Sequence, residues 1–355
     1  MAPGPTPHLT GPLLSGRLLW VVVLLLALLG APTLAFALDP IRIGTTREAD
    51  NAPLLVALDA GYFQAERLEP HVTFFANERA AAQALAASRL DVATASLDSW
   101  FYRDAAAHGL RMIASRSSEQ THFPMSALLV SAKAHAAGVT RVAGLAGARI
   151  GAVGVGSSAE YAIVAIARRF GLDPGSIRTV ALPSRAAQIG ALARGTIDAA
   201  LLSYPDAMRL GRPGESLLRL SDFVQWQQGV VFTDARTIAQ RRVLVERFVR
   251  GYQRGTSAYK SDFLEYDDGG DFIPGPGYVR ELEQVAHEVR LMPALLAVTK
   301  TYCDRRANLD VPDIERQVQY WKDRGQLDPQ LSPTDLIDAS FIGEETVAAH
   351  DPAQP

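Results

Sequence analysis

The chain of 355 residues has one cysteine, Cys303, which excludes an intramolecular disulfide, a cysteine-rich metal site and a two-thiol redox pair. It also lacks a Gly-x-Ser-x-Gly elbow and a His-Glu-x-x-His helix, the signatures of many serine hydrolases and zinc proteases. Charge of either sign is not in excess: 35 Lys and Arg face 38 Asp and Glu, a formal net charge of -3, which gives no footprint for nucleic acid. After the N-terminus no second apolar stretch of about 18 residues occurs, so nothing downstream reads as a membrane span. What the chain does have is apolar residues, 48% of the total, enough for one large or two medium cores.

The N-terminus reads as an export signal. Arg17 precedes the uninterrupted apolar run 18–29, which is short for a bilayer span, and Ala35-Phe36-Ala37 has the small-x-small form of a cleavage site. Residues 1–37 are therefore expected to be a signal peptide cleaved near Ala37, which would place the mature protein in the periplasm; an uncleaved anchor is the alternative. No cysteine lies near the cleavage point, so a lipoprotein anchor is excluded.

The stretch 149–206 organises the rest. Residues 149–153 are apolar and bounded by glycine, as in a short buried strand. Gly154, Gly156, Ser157 and Ser158 form a turn, and a helix follows with apolar positions at Ala159, Ala162, Ile163, Ile166, Ala167 and Phe170 before Gly171. A helix start offers unpaired N–H groups and the positive end of the dipole, so Ser157 and Ser158 either hold a small anion or merely cap the helix. The third spaced glycine of a dinucleotide fingerprint is absent, and no Lys-Ser or Lys-Thr follows; nucleotide binding is rejected.

Along the chain, strands expected at 41–44, 72–75, 90–95 and 111–115 alternate with helices at 52–60, 78–88 and from 97 onward, the pattern of a parallel α/β sheet. Asn51 is placed to cap the helix at 52–60. An extended segment at 124–130 opens a second α/β set, a strand at 229–232 returns, and a long helix over 238–259 leads into a mostly helical end that includes 314–324. The acidic run Asp267-Asp-Gly-Gly-Asp271 lacks the spacing of a calcium loop and reads as a solvated turn. Residues 78–93 resemble 184–199: each is a helix, a tight turn and a strand led by an aspartate, Asp91 or Asp198. Two similar lobes explain this better than a solenoid.

With Ala52-Pro-Leu-Leu-Val-Ala-Leu-Asp-Ala-Gly-Tyr-Phe63, Ala84-Leu-Ala-Ala-Ser-Arg-Leu-Asp-Val-Ala93, Gly156-Ser-Ser-Ala-Glu-Tyr161 and Tyr320-Trp-Lys-Asp-Arg-Gly-Gln-Leu-Asp328 in this order, the sequence resembles the periplasmic solute-binding proteins of bacterial ABC importers. The branch is that of nitrate, sulfonate and taurine, with relatives that bind thiamine-pyrimidine precursors. The resemblance covers nearly all the mature chain. It implies a two-lobed α/β fold of the type II periplasmic-binding-protein kind, each lobe a mostly parallel sheet flanked by helices. Lobe 1 would hold 38–126 and 228–346, lobe 2 would hold 127–227, and 347–355 would be a flexible tail. It further implies a monomer whose partners are a small solute and a permease of the inner membrane, with no nucleic acid, cofactor, metal or catalytic residue. An enzyme on the same scaffold, similar to pyrimidine synthases, and a free-standing sensor partner are the competing readings.

In such folds ligands sit beyond the carboxyl ends of the strands. This selects Asn51, Ser96, Asp98, Arg116, His122, Phe123, Ser157, Ser158, Tyr161, Tyr204, Asp206 and Trp226. The family's anion-binding helix start maps onto Ser157 and Ser158. Arg116 either forks onto a carboxylate or sulfonate or is an ordinary surface arginine. His122 and Phe123 line the cleft or pack the hinge; Asp206 faces ligand or caps a helix. Tyr204 and Trp226 would stack on a flat ring, and Asp98 with Asp206 would repel a plain anion, which favours an amine-bearing solute.

Overall fold

The computed structural model describes residues 37–153, 156–211 and 217–341, together with Gly4. Apart from Gly4 and Ala37, the expected signal segment lies outside the described residues, as does the expected tail at 347–355. Met1–Leu38 and Asp39–Pro355 are separate units, and all that follows concerns the second.

The first half alternates as its hydrophobic pattern requires. β1 (Asp39–Thr45), β2 (Leu68–Phe74), β3 (Val92–Ser96) and β4 (Leu110–Glu119) are separated by α1 (Ala52–Asp59), the short α2 (Tyr62–Ala65), α3 (Glu78–Ala86) and α4 (Ser99–His108). The second set runs β5 (Ser126–Val130), α5 (Ala132–Ala136), β6 (Arg149–Val153), α6 (Ser158–Arg169), β7 (Arg178–Leu182), α7 (Arg185–Ala193), β8 (Ala199–Ser203), α8 (Tyr204–Leu210) and β9 (Leu217–Arg219). β10 (Trp226–Asp234) returns, and α9 (Ala235–Phe263), α10 (Tyr278–Val289), α11 (Pro293–Val298) and α12 (Val311–Asp323) complete the described chain.

Two five-stranded sheets result, ordered β2-β1-β3-β10-β4 and β7-β6-β8-β5-β9. In each, two parallel pairings are followed by two antiparallel ones, so four strands share a direction and the strand in fourth place is reversed. That reversed strand is the first after each passage between sheets: β5 on the way out, β10 on the way back. The expected α/β architecture of two mainly parallel sheets is present. β1, β2, β4 and β10 run longer than expected, β4 because its residues 116–119 are polar yet buried, whereas β3 and β5 begin two residues later than expected.

The duplication is carried by matched constellations. Arg42 N, Nε and Nη2 donate to Asp91 at 2.8, 3.1 and 2.8 Å, and Arg149 N, Nε and Nη2 donate to Asp198 at 2.8, 3.0 and 2.9 Å; both pairs span 49 residues. A Cβ on Gly44 would lie 2.3 Å from Leu90 Cδ1, and one on Gly151 would lie 2.5 Å from Ile197 Cδ1, so both positions need the bare backbone. Asn77 caps α3 and Ser184 caps α7 through their side-chain oxygens. These caps set the repeat one residue away from the sequence alignment: Asn77 matches Ser184, and Glu78 matches Arg185.

Three local expectations are corrected. Asn51 makes no capping bond to α1; its Nδ2 donates to Thr46 O and Thr46 Oγ1 at 3.2 and 3.3 Å. Cys303, in the C-terminal part expected to be mostly helical, lies in the connection between α11 and α12; it is wholly buried, and burial pushes its thiol up. The sheets also do not have wholly separate cores. One buried cluster runs from Ala93 and Phe232 in the first sheet to Leu128 and Ile150 in the second, passing through Tyr161, Tyr320 and Trp321.

Asp91 is nearly inaccessible and also takes Arg241 Nη1 at 2.7 Å. Burial opposes its charge, yet the bonds from Arg42 outweigh burial and hold its carboxyl below the usual range. Its contribution to stability is therefore complete above the ordinary aspartate value and is lost as pH falls through the lowered one. Asp91→Asn is expected to cost about 2–4 kcal/mol near neutral pH, and Asp198→Asn, whose pair is more exposed, to cost less. Urea midpoints of the two variants check the order.

Candidate functional site

The carboxyl ends of β1, β3, β6 and β8 release the loops where this topology places ligands. Register brings the passages between sheets to the same place: Ser96 at the end of β3 lies opposite Gly229, and Ser203 at the end of β8 lies opposite Ser126. Side chains join the two. Gln228 Nε2 donates to Ser126 Oγ at 3.3 Å, and Ser203 Oγ donates to Asp206 Oδ2 at 2.7 Å. A polar floor thus runs from one sheet to the other.

On the first sheet's side, Arg116 is buried and sits between two carboxylates. Its Nη1 donates to Glu78 Oε1 and its Nη2 to Asp50 Oδ2, each at 2.6 Å, and Nη2 also reaches Ser96 Oγ at 3.1 Å. Ser96 N in turn donates to Glu78 Oε2 at 2.8 Å. Gly229 makes room for this guanidinium: a Cβ there would be 2.4 Å from Arg116 Nε. Glu48 stands on the same loop as Asp50. Although it is open to solvent, enclosure by the surrounding walls, then Asp50 and Glu78, push its carboxyl up to about 7; the charge of Arg185 opposes this. On the second sheet's side Arg185 meets Asp206 Oδ2 at 2.9 Å, and Arg209 bonds Asp206 Oδ1. Asp206 is buried, and both arginines are about half exposed.

The start of α6 does not present free amides to the groove. Asp98 Oδ1, from the loop after β3, accepts from Ser158 N at 2.5 Å, and Asp98 Oδ2 accepts from Trp100 Nε1 at 3.1 Å. Beside them Ser99 N donates to Gly156 O at 2.8 Å. Gly156 has φ of +83°, and a Cβ there would fall 2.0 Å from Ser99 Oγ, so the turn demands glycine twice over. Burial pushes the Asp98 carboxyl up to about 6 against the bond from Ser158. The anion expected at this helix start is one of the protein's own side chains. Ser157 caps with its backbone only, and Gly154 lies outside the described residues.

The other expected residues divide. Asn51, Ser96, Arg116 and Asp206 stand in the polar networks at the carboxyl ends of the strands, with Arg116 committed to an internal ion-pair cluster instead of standing free. Tyr161 donates to Asp313 Oδ1 at 2.9 Å and packs edge-on to Tyr320, away from any ligand. Tyr204 and Trp226 are core residues, 8% and 1% exposed, so neither offers a stacking face. Phe123 packs between Tyr266 and Tyr302, and His122 is exposed at the turn with φ of +72°. Glu48, Asp50, Glu78, Arg185, Arg209 and Gln228 were missed. Glu48 and Asp50 lay in a loop read as merely polar, and Glu78 was read as the first residue of an alanine-rich helix.

Residues 48–262, more than half of the chain, match the model of the family described as NMT1/THI5 like. The chain belongs to that family. No curated protein matches it in sequence. Among solved structures it is similar to the periplasmic aliphatic sulphonate binding protein SsuA from Escherichia coli, with 13% identity, TM-score 0.64, and 85% of this chain and 98% of that one covered. It is also similar to the periplasmic nitrate-binding protein NrtA from Synechocystis PCC 6803, with 10% identity, TM-score 0.58, and 86% and 87% covered. The desulfurization enzyme DSZB has 15% identity and TM-score 0.54, with 85% and 97% covered. These likenesses establish a periplasmic-binding-protein fold for this NMT1/THI5-like chain.

Several carboxyls of this NMT1/THI5-like protein are pushed up, chiefly by burial: Asp98 to about 6, Glu119 to about 8, with Asp50 and Asp313 also raised. A raised carboxyl binds its proton more tightly in the folded state. Its contribution is complete below the ordinary carboxylate range and is lost as pH rises through the folded value. Stability is therefore expected to fall between about pH 4 and pH 8. Asp98→Asn should flatten the part between about pH 4 and pH 6, an effect of up to about 3 kcal/mol. Melting curves across pH for both proteins measure it.

Proposed function

We propose that the chain is the solute-binding component of an ABC importer. It captures a small organic solute between two closing lobes in the periplasm and delivers it to a permease of the inner membrane. The lobes correspond to 38–126 with 228–346 and to 127–227. The observation that carries this reading is the duplication: two sheets of the same strand pattern, whose adjoining carboxyl-end segments carry the polar side chains Gln228, Ser126, Ser203 and Asp206, with the solute expected between them. Family membership and the sulfonate- and nitrate-binding neighbours support it. Binding needs no covalent step; a solute that touches both walls only in the closed form favours closure by its differential affinity.

The enzymatic reading draws on the desulfurization enzyme among the similar structures. Against it, the one thiol is wholly buried with a raised pKa, the reverse of what a nucleophile needs.

The test is a melting-point panel of sulfonates, carboxylates, amino-pyrimidines and aromatic acids, followed by mass analysis of the incubated compounds. One class is expected to raise the melting point; a solute at 100 times its Kd adds about 2.7 kcal/mol, and it should be recovered unchanged. Conversion of the compound, or a panel without any stabiliser, removes the proposal.

A further inference from the structure

Both devices in this groove that would take an anion are already used inside the chain. The α6 start holds Asp98, and the Arg116 guanidinium is shared by Asp50 and Glu78. What remains open on the first sheet's side is a set of acceptors. Asn51 is wholly buried, with Nδ2 committed to Thr46, which fixes the amide orientation and leaves Oδ1 without a donor. Its neighbour Asp50 spends Oδ2 on Arg116 and leaves Oδ1 without a donor. Gln228 directs Nε2 at Ser126 and leaves Oε1 without one. Two donor atoms are also unpaired, but Arg116 Nε is covered by the Gly229 backbone and the Ser117 hydroxyl lies beside Asp50.

Charge agrees with this count. Glu48, Asp50 and Glu78 surround Arg116, and Arg185, which pairs with Asp206 across the groove, acts on Glu48 only through space, so three carboxylates outnumber the two arginines near them; a cation with N–H groups would supply both charge and donors. We propose that the solute carries a protonated amine, which donates to Asp50 Oδ1 and Asn51 Oδ1 with Glu48 as the outer carboxylate. This rests on the solute-binding reading and specifies the end of the solute that the first lobe grips. Across the groove, Arg185 and Arg209 share Asp206, so a second, acidic group on the solute is tolerated there.

Calorimetry and melting of the purified protein with propylammonium, 3-aminopropanesulfonate and propanesulfonate test this. Both amines are expected to bind at least tenfold more tightly than propanesulfonate, and Glu48→Gln with Asp50→Asn to weaken them at least tenfold. Because Asp50 also holds Arg116, Glu48→Gln alone is the second variant; it leaves the Arg116 cluster intact and should weaken the amines about threefold without lowering the melting point of the unliganded protein. Propanesulfonate binding as tightly as the amines, or amine affinity unchanged in both variants, overturns the proposal. If neither amine binds while a compound of another class does, the amine site falls and the solute-binding reading stands. If no compound binds at all, both fall.

Discussion

The contact between Asp98 and the first turn of α6 constrains the rest of the molecule. A helix start is a concentration of unpaired N–H groups and partial positive charge, and this one is supplied with a carboxylate from the opposite sheet. Burial makes that carboxylate costly, hence its raised pKa, but Ser158 N and Trp100 Nε1 satisfy both of its oxygens. Because Gly156 is clasped by Ser99 at the same place, the two halves touch backbone to backbone along this edge. The anion-binding property of this helix start is thus turned inward, onto a carboxylate of the chain itself.

The duplicated framework shows how one scaffold can carry two signs. The Arg42–Asp91 and Arg149–Asp198 pairs, the two crowded glycines and the two capped helices are the same structure made twice. At the first residue of the equivalent helices, however, one copy has Glu78 and the other Arg185. Glu78 braces Arg116 within its own wall, and Arg185 braces Asp206 within the other. Each wall therefore holds an ion-pair cluster of opposite excess charge around one buried group, Arg116 or Asp206, built on backbone positions that are otherwise alike.

Much of the architecture was legible in the sequence because it depends on local pattern. β6 occupies the five residues its apolar run marked, and Gly61, Gly171 and the proline in α1 fall where helix boundaries require them. The loops at the carboxyl ends were also identifiable, and Ser96, Arg116 and Asp206 stand in or beside them in the polar networks described. What failed was the assignment of side chains to partners. Serines before a helix look the same whether an external anion or Asp98 fills the site, and Arg116 looks free until Asp50 and Glu78 are folded against it. Tyr204 and Trp226 were read for their rings, but burial took precedence, since large aromatic side chains gain more from the core than from an open groove. Long-range pairing sets all of these outcomes, and periodicity does not report it.

The C-terminal helix shows what separation of the two sheets would have to overcome. Asp313, at the start of α12, accepts from Gln227 N at 2.8 Å and Gln317 Nε2 at 2.7 Å, and Gln317 also donates to Gln227 O at 2.8 Å, so α12 is fastened to the returning strand. Its link to the second sheet's side is different in kind: Tyr161 donates to Asp313, and Arg324 meets Glu160 at 3.1 Å. If the lobes rotate apart, α12 stays with β10, and the bonds that must break are those from α6 to Asp313, Arg324 and Asp98. Each leaves a buried or half-buried carboxylate short of a donor unless water replaces it. These bonds therefore favour the arrangement in which the two sheets adjoin, and in the binding reading a solute would add its own differential affinity to them.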